Sequence, residues 1–106
     1  MSASNILPED RYAQCPNGQR IHYIDQGEGP VVVFLHGSGP GASGHSNFQG
    51  NYPVFVQQGY RCLVPDLVGF GYSDKPTDVA HPLAFFVECL KQTLDAAGVS
   101  RCTVIG

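Results

Sequence analysis

Apolar positions follow three patterns along this chain, and each predicts a different kind of element. Val31-Val32-Val33-Phe34-Leu35 is an unbroken apolar run with three β-branched residues, the signature of a short strand buried on both faces. Tyr60-Arg61-Cys62-Leu63-Val64 and Cys102-Thr103-Val104-Ile105 read as two further buried strands. Between the first two, Phe48, Tyr52, Phe55 and Val56 recur at spacings of three and four, which predicts a helix over Ser46 to Gln58. Pro53 should kink that helix or end its first turn, and Gly59 is placed to cap it. Leu83, Phe86, Val87, Leu90 and Leu94 share one helical face and predict a second helix over Pro82 to Ala97, with Gly98 capping.

Ahead of these lies a different pattern. Tyr12-Ala13-Gln14-Cys15 and Arg20-Ile21-His22-Tyr23-Ile24 flank Pro16-Asn17-Gly18, and Asn-Gly is a strong hairpin turn, so Arg11 to Asp25 reads as an antiparallel hairpin. Hairpin, strand, helix, strand, helix, strand is the order of an α/β unit: an antiparallel hairpin followed by parallel strands joined by crossover helices.

Composition narrows the function classes. The 106 residues suit one small domain, with 42% hydrophobic and 14% charged content, and a net charge of −3 carries no basic stripe for nucleic acid. No apolar segment approaches the roughly 20 residues of a membrane span. The first ten residues show neither the basic nor the apolar region of a signal peptide, so a cytoplasmic protein is expected. Cys15, Cys62, Cys89 and Cys102 are far apart without a C-x-x-C pair and read as buried, reduced thiols, not as a metal site.

The chemistry concentrates in the turn after the first parallel strand, His36-Gly37-Ser38-Gly39-Pro40-Gly41-Ala42. Gly37, Gly39 and Ala42 satisfy a dinucleotide-binding G-x-G-x-x-G/A pattern, and Asp66 ends the next strand where a ribose-binding acid could stand. Against that, a hairpin precedes the strand, glycines continue to Gly44 so the helix starts late, and nothing in a dinucleotide site calls for His36. The other reading is an oxyanion hole, in which free backbone N–H groups of the turn stabilise negative charge on a carbonyl oxygen.

The loop His36-Gly37-Ser38-Gly39-Pro40-Gly41-Ala42, followed by Ser46-Asn47-Phe48, resembles the meta-cleavage-product hydrolases of the α/β-hydrolase superfamily, over a stretch from about Gln19 to Gly106. Pro65-Asp66-Leu67-Val68-Gly69-Phe70-Gly71-Tyr72-Ser73-Asp74-Lys75-Pro76 resembles haloalkane dehalogenases and epoxide hydrolases equally, but those enzymes usually carry a shorter His-Gly-x-Pro loop. The resemblance implies the N-terminal portion of an α/β-hydrolase core domain over residues 1–106, with the lid and C-terminal half outside it. It also implies hydrolysis of a carbon–carbon bond in 2-hydroxy-6-oxo-dienoic acids from aromatic degradation. An ester hydrolase on the same scaffold and a non-catalytic ligand-binding relative are the alternatives.

Site roles follow from the same resemblance. The Ser38 backbone N–H is the expected oxyanion donor, with Gly39 as the alternative; Gly37 and Asn47 are expected at the substrate, Asn47 facing its enol and carboxylate end. His36 and Asp66 are expected to brace the loop, not to act as base and acid. Neither a cofactor nor a metal is implied. The expected partner is a small-molecule substrate, and a homo-oligomer is left open. No Gly-x-Ser-x-Gly nucleophile elbow occurs in the 106 residues. Thr103-Val104-Ile105-Gly106 resembles the start of one, so the nucleophile, acid and base are expected beyond Gly106. The 106 residues alone are expected to be inactive and too thinly covered by helices to fold stably.

Overall fold

A computed structural model describes residues 10–37, 42–76 and 83–106. Strands β1 (Asp10–Gln14) and β2 (Arg20–Gln26) form the expected antiparallel hairpin, with Tyr12 opposite His22. Strand β3 (Val31–Phe34) pairs parallel with both β4 (Arg61–Pro65) and β5 (Thr103–Ile105), and β2 pairs antiparallel with β4. The sheet order is β1-β2-β4-β3-β5.

Two helical layers follow from that order. The connection from β3 to β4 moves one way along the sheet, and the connection from β4 to β5 moves back across β3. Right-handed crossovers in opposite directions must lie on opposite faces. Alternation along the strands supplies an apolar surface for each. Ile21, Tyr23, Val33 and Leu63 form a core with Cys89 and the half-buried Phe85, Phe86, Leu90 and Leu94 of α3 (Leu83–Ala96). Ile24, Val32, Phe34, Cys62 and Val64 form the second core, beneath α1 (Gly44–Phe48) and α2 (Tyr52–Gln57).

The predicted first helix is two helices. Proline has no N–H to donate and its ring collides with the carbonyl four residues back, so the helical path is interrupted at Gln49–Asn51 and Pro53 falls in the first turn of α2. Ser43 caps α1, its hydroxyl accepting the Ser46 N–H at 3.1 Å while Ser46 Oγ accepts the Ser43 N–H at 3.0 Å.

Two expectations are corrected at the sheet edge. Thr103 and Val104 are exposed and Ile105 only half-buried, so β5 is not a buried strand. Cys102, just before it, is likewise exposed, while Cys15, Cys62 and Cys89 are buried. Among the described residues β5 has a strand on one side only, and α3 packs toward the hairpin, against β1, leaving this edge uncovered.

Candidate functional site at the carboxyl ends of the strands

The loops leaving β3 and β4 run to opposite faces of the sheet from adjacent strands, which opens a crevice at their carboxyl ends where α/β sites form. Residues of both loops converge there. His36 and Asp66 sit two positions beyond Phe34 and Val64, and strand alternation therefore places them on the same face, toward α1 and α2. Both are buried, at 5% and 2% exposure.

His36 spans the crevice. Its Nε2 accepts the Leu67 N–H at 2.9 Å, so that nitrogen carries no proton, and its Nδ1–H donates to the Gly37 carbonyl at 2.6 Å. Phe70 stands edge-on to the ring, 5.2 Å between centroids. Occupied on both nitrogens by backbone, the imidazole ties the exit of β3 to the exit of β4.

Asp66 makes the second tie. Its Oδ1 accepts the Gly44 N–H at 2.8 Å, and its Oδ2 accepts the Tyr72 N–H at 3.0 Å and lies 2.8 Å from His22 Nδ1. Burial pushes this carboxyl up, but the hydrogen bonds from His22, Tyr72 and Gly44 outweigh it and hold Asp66 below its ordinary value of 3.8. The Asp66 main chain is also fixed, its carbonyl accepting the Ser73 hydroxyl at 2.6 Å and its N–H donating to the His22 carbonyl at 2.8 Å.

Two glycines make this packing feasible. A Cβ on Gly44 would stand 2.7 Å from the Pro65 carbonyl oxygen, so only glycine lets α1 start this close to β4. Gly71 has φ +53° and a Cβ there would run into the Asp66 carboxylate.

Gly37 and Asn47 come together. Both are exposed, and a Cβ built on Gly37 would meet the Asn47 Nδ2 at 4.0 Å. Asn47 lies in α1, where its backbone donates to the Ser43 carbonyl at 3.1 Å. Ser38 and Gly39 lie outside the described residues. Across the crevice, on the α3 side, the surface is an apolar hollow of about 320 Å³ walled by Leu35, Leu67, Phe70, Phe86 and Leu90.

His22, which the sequence shows only as a residue of the hairpin, completes the arrangement. It is buried at 2%, with Nδ1 on Asp66 and Nε2 2.7 Å from Asp10 Oδ1. Two carboxylates face the two ring nitrogens, and both receive an N–H only when the ring is an imidazolium. Burial pulls its pKa down, and the bonds to Asp66 and Asp10 more than reverse that, leaving it above 6.5. The available signal was parity: His22 shares a face with Ile24, so a polar group there needs a buried partner.

Among the described residues no cluster of three or more His, Cys, Asp or Glu could hold a metal ion, and no helix is long and apolar enough to cross a membrane.

The sequence profile described as the alpha/beta hydrolase fold matches residues 30–106. The chain belongs to the α/β-hydrolase family. Within it, the chain is 44% identical over 110 residues to a 2-hydroxy-6-oxononadienedioate/2-hydroxy-6-oxononatrienedioate hydrolase of Pseudomonas sp, a match covering all of this chain and 38% of that protein. A solved meta-cleavage product hydrolase from Pseudomonas fluorescens IP01 (CumD) superposes with a TM-score of 0.84 at 31% identity, over 91% of this chain and 35% of that one. An epoxide hydrolase from Vigna radiata gives 0.80 at 30% identity, over 91% and 30%. The chain thus spans about a third of the length of the α/β-hydrolases it matches.

Proposed function

We propose that this chain supplies the oxyanion loop of a hydrolase that cleaves a carbon–carbon bond in a 2-hydroxy-6-oxo-dienoate. The observation that carries the reading is the approach of Asn47 to Gly37 at the mouth of the glycine turn. The 44% identity to a nonadienedioate hydrolase supports the substrate class.

In this reading the substrate's dienol ketonises, a nucleophile adds to the 6-oxo carbonyl, and that oxygen becomes an anion. The Ser38 backbone N–H, or that of Gly39, donates to it together with the N–H following the nucleophile. Gly37 keeps the mouth of the turn free of side chain. The Asn47 carboxamide, both donor and acceptor, orients the enol and carboxylate end. Collapse of the oxyanion expels the dienol fragment, and water completes the release of the acid. His36 and Asp66 act on the loop and not on the substrate. The nucleophile, acid and base are not among these 106 residues, which hold no Gly-x-Ser-x-Gly. Without them the 106 residues are inactive on their own.

Epoxide hydrolysis is the second reading, favoured by the 0.80 likeness to the Vigna radiata enzyme; the longer His36–Gly41 loop weighs against it. Incubating the protein as its gene encodes it with 2-hydroxy-6-oxononadienedioate, 4-nitrophenyl acetate and styrene oxide separates the readings. Loss of the dienolate absorbance, in preference to release of nitrophenol or diol, is expected. Turnover of ester or epoxide without the dienoate would overturn the assignment.

A further inference from the structure

The two ends of the glycine turn are held by two adjacent residues. Leu67 donates to His36 at the entry, and Asp66 accepts from Gly44 at the exit. Whatever moves the Asp66–Leu67 corner moves both ends at once. The corner itself is anchored on β2: Asp66 N–H donates to the His22 carbonyl, Asp66 Oδ2 faces His22 Nδ1, and Ser73 Oγ accepts the His22 N–H at 2.8 Å while donating to the Asp66 carbonyl.

We propose that His22 is a positioning residue for the two ends of the glycine turn, acting through Asp66: with both ring nitrogens donating, it holds the Asp66 carboxylate where Gly44 can bind it, and loss of its proton weakens that hold. The inference rests on the reading of that turn as the oxyanion loop only for its effect on turnover; the coupling itself does not depend on it.

Titratable and aromatic groups surround His22. From β1 it faces Asp10 and the Tyr12 ring, over which the Arg20 guanidinium also lies, 3.9 Å from the ring centroid. From the loop after β4 it faces Asp66 and the Tyr72 ring, edge-on at 5.3 Å. From α2, Tyr52 lies within the field of Asp10 and pairs its hydroxyl with His45 Nδ1 at 2.8 Å. The charge-assisted bond to Asp66 weakens to an ordinary one when the ring is neutral, beside those from the Gly44 and Tyr72 N–H groups. Asp10 is a third exposed and can turn to water, whereas Asp66 cannot.

The test follows the ring of His22 and the amides of Gly37 and Gly44 by NMR from pH 5 to 9, in the protein as its gene encodes it, with turnover of 2-hydroxy-6-oxononadienedioate measured in parallel. Gly44 contacts Asp66 directly; Gly37 does not, so it reports the turn. Both amides are expected to shift with the midpoint of the His22 ring. Asp10→Asn, a change at the partly exposed partner, should lower all three midpoints together. His22→Gln, which retains an N–H donor without a titration, should leave both amides without that transition. Where turnover is seen, kcat should fall through the same midpoint with KM little changed, and His22→Gln should flatten that limb. Gly37 following only the His36 ring, or glycine midpoints that stay put when Asp10→Asn moves the ring, would overturn the proposal. A protein that shows the coupled shifts but does not turn over the dienoate would retain the positioning role and lose the oxyanion reading.

Discussion

His22 Nδ1 lies 2.8 Å from Asp66 Oδ2, across 44 residues of chain, and both side chains are 3% exposed. The pair joins the hairpin to the loop after β4, where Asp66 also holds Gly44. A buried ion pair of this kind contributes little net stability over an apolar pair, but removing one partner strands the other.

The pair sets a window of stability in pH. Asp66 is held below 3.8, so its contribution is complete above that ordinary value and is lost as pH falls through its lower folded value. His22 is held above 6.5, so its contribution is complete below 6.5 and is lost as pH rises through its higher folded value. Urea midpoints measured from pH 3 to 9 should be highest between those two ordinary values and fall on both sides. Asp66→Asn should remove the acid limb; a variant that keeps it would show that other carboxylates govern acid unfolding.

Gly71 and Gly18 separate backbone strain from collision. Both have positive φ, +53° and +93°, so alanine costs about 1–2 kcal/mol at either from the left-handed backbone. At Gly18 a Cβ meets nothing within 4 Å, whereas at Gly71 it runs into the Asp66 carboxylate. Gly71→Ala should therefore destabilise clearly more than Gly18→Ala in paired denaturation curves. Equal losses would mean that Asp66 can yield.

Asn47 and Ser43, four residues apart, should behave oppositely. Ser43→Ala removes the capping hydroxyl of α1 and should cost about 1 kcal/mol of stability. Asn47 is exposed and its side chain meets only the Ser46 hydroxyl, at 3.4 Å, among the hydrogen bonds described, so Asn47→Ala should leave stability within about 0.5 kcal/mol. If Asn47 orients the substrate as proposed, the same variant should lower kcat/KM on the dienoate by about tenfold or more, the scale of one lost hydrogen bond. Unchanged kinetics would remove Asn47 from the site.

Phe34 anchors the face beneath α1 and α2, with ring centroids 5.1 Å from Phe48 and 5.3 Å from Phe55. Phe34→Ala should cost about 3–5 kcal/mol, and Phe34→Leu should cost less. A thermal melt of each reads this directly. Similar, small losses would mean that the two short helices close over the vacancy.

The fold was legible because its signals are local. An apolar run, a 3.6-residue period and an Asn-Gly turn each act within ten residues, and their order alone determines hairpin, parallel strands and crossover helices. The broken helix at Pro53 was half legible: proline announces an interruption, but whether the chain kinks or restarts depends on the packing of Phe48, Tyr52 and Phe55 on the sheet. The exposure of β5 was not legible, because an apolar run does not say whether its strand is central or at an edge.

The same division holds at the site. By itself the sequence determined the glycine turn after β3, the place of Asp66 at the end of β4, and the nearness of Asn47 to the turn along the chain. Only the tertiary structure decided that His22, a hairpin residue, is the partner of Asp66, and that Asp66 and Leu67 hold both ends of one turn. The physical reason is range. Turns and helices are set by neighbours in sequence, whereas a buried charge is satisfied by whatever group the sheet order brings opposite, here a hairpin strand 44 residues upstream.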